Sequence, residues 1–233
     1  MQFLPRIGFC VLALAVAAGC ASTEVSDRHE YMGGKVPRPH HIWVYDFSAT
    51  PADVPADSAL AGGLAEHATP QTAEQIATGR KMGELIATQL VEEIMNMGLL
   101  ARKASSSTQP EINDLVIRGH ILSFDEGDAT KRVAVGFGSG ASHLMTAVEG
   151  FQMTAQGLRK LGSGTVGAGG GKTPGGALGV VGFIATANPA GLIISGGMKA
   201  YGEYSGSAKI EGRGKETAKE IAEKIKPKFQ QQG

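Results

Sequence analysis

The sequence predicts an α/β fold: a two-layer sandwich in which two helices cover a mixed sheet, with a Gly-rich apolar hairpin inserted. Three observations carry this. From Thr72 onward, Ile76, Met82, Ile86, Leu90, Ile94 and Met97 recur at helical spacing. A second helical face, Ala218, Ile221, Ala222, Ile225 and Phe229, closes the chain. The remaining apolar runs are short, rich in β-branched and aromatic residues and bounded by turn residues, which is the pattern of strands. Alternating strands and helices of these lengths build two packed layers.

Composition bounds the function. The 233 residues carry 22 basic and 22 acidic side chains, so no bulk positive field exists to draw nucleic acid. At 42% hydrophobic and 19% charged the chain is globular, yet 34 glycines are far above ordinary usage and must serve a local purpose. Only two cysteines occur, both within the first 20 residues, which excludes a disulfide framework and a four-thiolate zinc site.

Met1 to Val16 reads as an export signal: Arg6, the apolar run Ile7 to Val16, then the small residues Ala17, Ala18 and Gly19 before Cys20. Its apolar stretch is too short to span a bilayer. Ala17-Ala18-Gly19-Cys20 resembles the lipobox of bacterial lipoproteins, with Ala17 where that pattern prefers Leu. The resemblance implies that residues 1–19 are removed and that Cys20 is acylated and becomes the new N-terminus. Acyl chains at one residue then hold the protein to the membrane through Cys20, since two chains already suffice for stable anchoring. Ala21 follows where lipoproteins retained at an inner membrane typically carry Asp, so the expected address is the outer membrane, on its periplasmic face. The alternative is an ordinary signal peptide cut near Ala18, leaving Cys20 as a free thiol.

Residues 20–40 are polar, with Gly33-Gly34 and the prolines Pro37 and Pro39, and read as a lipid-anchored tether. Extended at roughly 3.3 Å per residue it would lift the domain about 60 Å from the anchor. The domain proper is expected over 41–233. His41 to Phe47 is its first strand. Ser48 to Gln71, with Pro51, Pro55, Pro70 and Gly62-Gly63, reads as a loop that is either functional or disordered, disorder being the favoured reading. After the helix from Thr72, which Gly98 stops, Leu99 to Ala104, Leu115 to Phe124, Lys131 to Gly138 and Ser142 to Thr154 read as strands. The closing helix spans Ala208 to Gln230, pairs Glu220 with Lys224 four residues on, and has its final turn limited by Pro227.

The insertion, 162–206, holds 15 of the glycines, and 177–198 is a run of 22 residues without a charge. Asn188-Pro189 at its midpoint favours a turn between two apolar arms over a single span. A helical hairpin, a β-hairpin, a loop and an actual span all remain open. Gly167, Gly171, Gly175 and Gly179, four apart, would form a flat self-association stripe on a helix.

Chemical motifs fail on spacing. Gly171-Lys172-Thr173 resembles the end of a phosphate loop, but Val166 occupies the place of its first glycine. Gly162, Gly164 and Gly167, and Gly136, Gly138 and Ala141, satisfy dinucleotide-type glycine spacing without the acidic residue and helix the motif requires, so bulges or bends between strands explain them better. The six histidines show no zinc-ligand spacing, and Asp125, Glu126 and Asp128 read as a solvated turn. No catalytic residue, metal or cofactor is assigned.

Lys131-Arg132-Val133-Ala134-Val135-Gly136-Phe137-Gly138-Ser139-Gly140, together with the lipobox, resembles an uncharacterised bacterial lipoprotein family, domain of unknown function 4410. Its most specific residues here are Arg132, Gly136, Phe137, Gly138 and Gly140. The Gly-rich segment and the closing Thr217-Ala218-Lys219-Glu220-Ile221-Ala222 helix look similar too, so the resemblance extends from about His41 to Phe229. More distantly, the Tyr45-Asp46-Phe47 strand and Val116 to Ile121 look like the curli secretion lipoprotein and the TolB amino-terminal domain, an analogy of fold. The expectation is a non-enzymatic outer-membrane lipoprotein acting as a periplasmic binding and assembly module, with outer-membrane lipid as a partner through Cys20, a homo-oligomer or envelope protein as a further partner, and no nucleic acid. A pore or secretion component that inserts the Gly-rich hairpin is the alternative, and an enzyme is the third.

Overall fold

The structure, a computed structural model, describes residues 22–33, 36–56, 58, 71–125, 142–169 and 210–230. Six strands, β1 (Ser22–Glu30), β2 (Ile42–Val44), β3 (Ala101–Lys103), β4 (Leu115–Asp125), β5 (His143–Thr154) and β6 (Gly157–Gly169), form one sheet in the order β1-β6-β5-β4-β2-β3. β2 runs parallel to β3 and β4, and all other neighbours are antiparallel, so the sheet is mixed as expected. Helices α1 (Ala73–Asn96) and α2 (Ile210–Gln230) pack against each other on one face, α1 over β2, β3 and β4 and α2 over β5 and β6.

The start of α1 is written in its sequence. Thr72 caps it: its hydroxyl accepts from the Gln75 amide at 3.2 Å, and the Gln75 side chain accepts from the Thr72 amide at 2.8 Å. Gly98, at φ +78, turns the chain out of the helix in the left-handed region that glycine enters freely. Between these ends Ile86, Leu90 and Ile94 are wholly buried, each worth about 1.5–3 kcal/mol relative to exposure. They meet Ile42, Val44, Ile117, Ile121, Leu144 and Val166 from the sheet and Ala218, Ile221 and Ala222 from α2. Gly83 allows the closest approach. A Cβ there would lie 2.0 Å from the Phe47 carbonyl oxygen, and the Phe47 amide donates to the Gly83 carbonyl at 3.3 Å. On α2, Lys224 pairs with Glu220 at 3.2 Å as its spacing predicts.

Three expectations are corrected. Residues 22–30, read as tether, form edge strand β1, paired with β6 from Ser22↔Gly169 to Glu30↔Gly162. Backbone ladder bonds to an existing strand need no apolar period, which is why the polar sequence concealed it. The first part of the Ser48 to Gln71 loop is ordered: the Ser48 amide donates to the Gly119 carbonyl at 2.9 Å, and Pro51–Asp53 forms a 3-10 turn. The beginning of the Gly-rich insertion, 162–169, is the second half of β6, so Gly167 sits on a strand opposite Glu24 and Met145 and cannot belong to a helical glycine stripe. The closing helix α2 ends at Gln230, the expected end, and passes through Pro227 with Phe229 packed on the core, because one missing amide in the last turn removes little.

Candidate functional site: the helix-free face and one end of the sheet

Strand alternation sends Ile117, Ile121, Leu144 and Val166 toward the helices and a different set to the opposite face. That set includes apolar Val116 and Ala147 but also polar side chains that are buried or half-buried. Arg118 lies opposite Glu149 across the β4–β5 pair, and His120 lies opposite Ala147, which in turn pairs with Thr165. Glu149, 3% exposed, accepts from Lys160 Nζ at 2.8 Å and from Ser58 Oγ at 2.5 Å. Lys160 supplies the counter-charge that a buried carboxylate needs, and Ser58 brings the segment after the 3-10 turn over this face. The Arg118 guanidinium carbon lies 5.5 Å from the ring centres of both Tyr45 and Phe151, a cation held between two aromatic faces.

His120 is the unusual member. It is 1% exposed, and neither ring nitrogen has a hydrogen-bond partner among the described residues. Burial pushes its pKa down to about 4, while the charge of Asp53 pulls weakly the other way, so the ring is neutral at pH 7. Asp53 itself is tied to Arg80 of α1 at 2.8 Å.

A second cluster fixes the start of β2 and β4. Asp114, 1% exposed, accepts from the His41 amide at 3.0 Å, Trp43 Nε1 at 2.8 Å and the Glu111 amide at 2.9 Å. Burial would raise its pKa, but these donors and the nearby His41 outweigh it and lower the carboxyl below its ordinary value. Next to it Asn113, at φ +78, accepts from Gln152, which also pairs with Arg159, and the Arg159 guanidinium carbon stacks 4.8 Å from the Tyr31 ring centre. These groups bind one another and hold strand ends in register. Among the described residues no group of three or more His, Cys, Asp or Glu converges in a way that could hold a metal ion.

The β2 to β6 core that carries both clusters is also what relates the chain to known proteins. Residues 42–187 match the family described as Domain of unknown function (DUF4410). The chain belongs to the DUF4410 family. The match ends before α2, whereas the sequence resemblance extends into that helix. No curated protein matches this DUF4410 chain. Among solved structures it is similar to two PelC dodecamers from Paraburkholderia phytofirmans, one a point variant. Both are 12% identical with a TM-score of 0.37, and the likeness covers 72% of this chain and 95% and 96% of theirs.

Of the residues singled out from sequence, Cys20, Arg132, Gly136, Phe137, Gly138, Gly140, Gly171, Gly175 and Gly179 lie outside the described residues, as do the phosphate-loop look-alike, Glu126 and Asp128. The strand expected over 131–138 falls there too. Gly162, Gly164 and Gly167 lie along β6, which explains their dinucleotide-like spacing as strand glycines. Asp125 and His143 come together as a register pair at the ends of β4 and β5. The buried polar face and the Asp114 cluster were missed. Their signal was available in Arg118 and His120, polar residues inside an otherwise apolar strand run, and in Glu149 within an alternating strand.

Proposed function

We propose that this chain is a non-enzymatic outer-membrane lipoprotein, anchored through acylated Cys20, whose periplasmic α/β domain binds or organises other envelope components or further copies of itself. The supporting observation is the edge strand β1. It starts two residues after Cys20, is built into the sheet on its β6 side, and has no strand partner on its outer side among the described residues. Nine residues of strand with an open edge offer a template for pairing with another chain. The polar clusters are consistent with this reading, because Glu149, Asp114 and Arg118 are engaged by their own domain.

The experiment is extraction of the native lipoprotein in mild detergent, size measurement, and proximity labelling in the cell. A defined oligomer, or a reproducible envelope neighbour, is the expected result; a monomer with no reproducible neighbour contradicts the proposal. The second reading, a pore or secretion component, is favoured by the 22 uncharged residues of 177–198. No helix among the described residues is long and apolar enough to cross a membrane. Ion conductance of the purified lipoprotein in a planar bilayer separates the two: steady conductance steps support the pore, and a silent bilayer supports the binding module.

A further inference from the structure

The sheet register brings four strand ends into one row. Asp125 at the end of β4 lies opposite His143 at the start of β5, His143 opposite Gly169 at the end of β6, and Gly169 opposite Ser22 at the start of β1. The packing in this row is tight: a Cβ on Gly169 would lie 2.7 Å from the His143 ring. The first turns of α2 reach the same end, where Arg213 Nε donates to Ser142 Oγ at 3.2 Å. Chain connectivity then has a geometric consequence. Residues 126–141 leave the described fold at Asp125 and rejoin it at Ser142, and residues 170–209 leave at Gly169 and rejoin at Ile210, so all four junctions lie at one end of the sheet. The amino-terminal junction is there as well. Cys20 precedes Ser22 by two residues, a reach of at most about 7 Å.

We propose that this end of the sheet, the row Ser22, Gly169, His143 and Asp125 with the start of α2, is the surface of the domain that faces the lipid bilayer. The proposal rests on the reading that Cys20 is acylated and adds an orientation to it. With β1 hydrogen-bonded into the sheet from Ser22, the anchor has no slack of about 60 Å; the acylated residue holds the row within about a nanometre of the lipid headgroups. The sequence agrees with a lipid surface as occupant. The longest uncharged stretch in the chain, 173–198, begins four residues after Gly169 in the sequence. The opposite end carries the β5–β6 turn at Gln156 and the Asp114 cluster, and it projects away from the membrane. Twelve residues of β5 at about 3.3 Å each set the two ends roughly 35–40 Å apart.

Once residues 1–19 are removed and Cys20 is acylated, the chain holds no other thiol, so a single introduced cysteine is labelled cleanly. Glu211→Cys in the first turn of α2 and Gln156→Cys in the far turn are both exposed positions. Each labelled full-length lipoprotein is placed in phosphatidylethanolamine and phosphatidylglycerol vesicles containing headgroup-nitroxide lipid, after mass spectrometry of Cys20. The expected result is several-fold stronger quenching at position 211 than at 156. Equal or reversed quenching on protein with acylated Cys20 overturns the orientation alone. Absence of acyl mass on Cys20 overturns the anchor reading and this proposal with it. Hydrogen exchange on the unsubstituted lipoprotein gives a label-free check: slow exchange of the β1 amides is expected, and exchange as fast as that of a free tether overturns the proposal.

Discussion

Asp114 illustrates how one side chain secures a junction that no apolar contact could. Two carboxylate oxygens satisfy the His41 and Glu111 amides and the Trp43 indole, joining the entry to β2 to the entry to β4. Asp114→Ala leaves these donors without their acceptor, so the fold should lose about 2–4 kcal/mol, read as a shift in urea midpoint at unchanged slope. Asp114→Asn should also destabilise, because its amide sets a donor against a donor. A neutral Asp114→Asn would show that the carboxylate is dispensable. Its lowered pKa means the stabilisation is present above the ordinary aspartate value and is lost as pH falls through the lower folded value. His120 acts in a different window. Its folded pKa of about 4 lies below the ordinary 6.5, so between those values the unfolded chain binds the extra proton and stability falls with falling pH, by up to about 1.4 kcal/mol per pH unit. His120→Leu should keep stability at pH 7, since it removes two unpartnered buried nitrogens, and should flatten the profile between pH 6.5 and 4. A parent-like slope in that variant would assign the acid sensitivity to other groups.

Elements test packing. Gly83 and Gly214 are both helical glycines in contact with neighbours, yet they face different obstacles. A Cβ on Gly83 meets the Phe47 backbone at 2.0 Å, whereas one on Gly214 meets the flexible ends of Leu85 at 2.7 Å and Met82 at 2.8 Å. Alanine gains about 1 kcal/mol of helix propensity at either site. Gly83→Ala should therefore lower Tm sharply, with overpacking outweighing the propensity gain by roughly 1–3 kcal/mol or more, while Gly214→Ala should stay near neutral. Equal effects would mean that α1 can move away from Phe47. How far each element could be read from sequence follows the same physics. Both helices, β4 and β5 declare themselves through periods imposed by burial, and α1 through the Thr72 cap and Gly98 stop. β1 and the first half of β6, Ser22–Glu30 and the Gly157 to Leu161 run, depend instead on a ladder whose partner lies more than a hundred residues away for β1, and nothing local reports such pairing. The hairpin turn at Gly157, φ +105, was the readable clue to β6. For the buried polar face, the residues were legible but their convergence was not, because it depends on the register of β4, β5 and β6 together.

At the scale of the whole molecule, the fold builds the residues that follow Cys20 into a sheet edge and groups the junctions of residues 126–141 and 170–209 at the same end. On the proposed anchor, Cys20→Ser should move the protein from the membrane fraction to the soluble fraction. Continued sedimentation with membranes would transfer the attachment to another segment of the chain. The anchor at Cys20 is the claim from which the assembly reading and the membrane-facing orientation both proceed, and one measurement addresses it directly: mass spectrometry of the amino-terminal peptide of protein purified from membranes. The expected result is a mature chain that begins at Cys20 and carries diacylglyceryl and amide-linked acyl groups on that residue. A chain that begins elsewhere, or that carries Cys20 as an unmodified thiol, would contradict it.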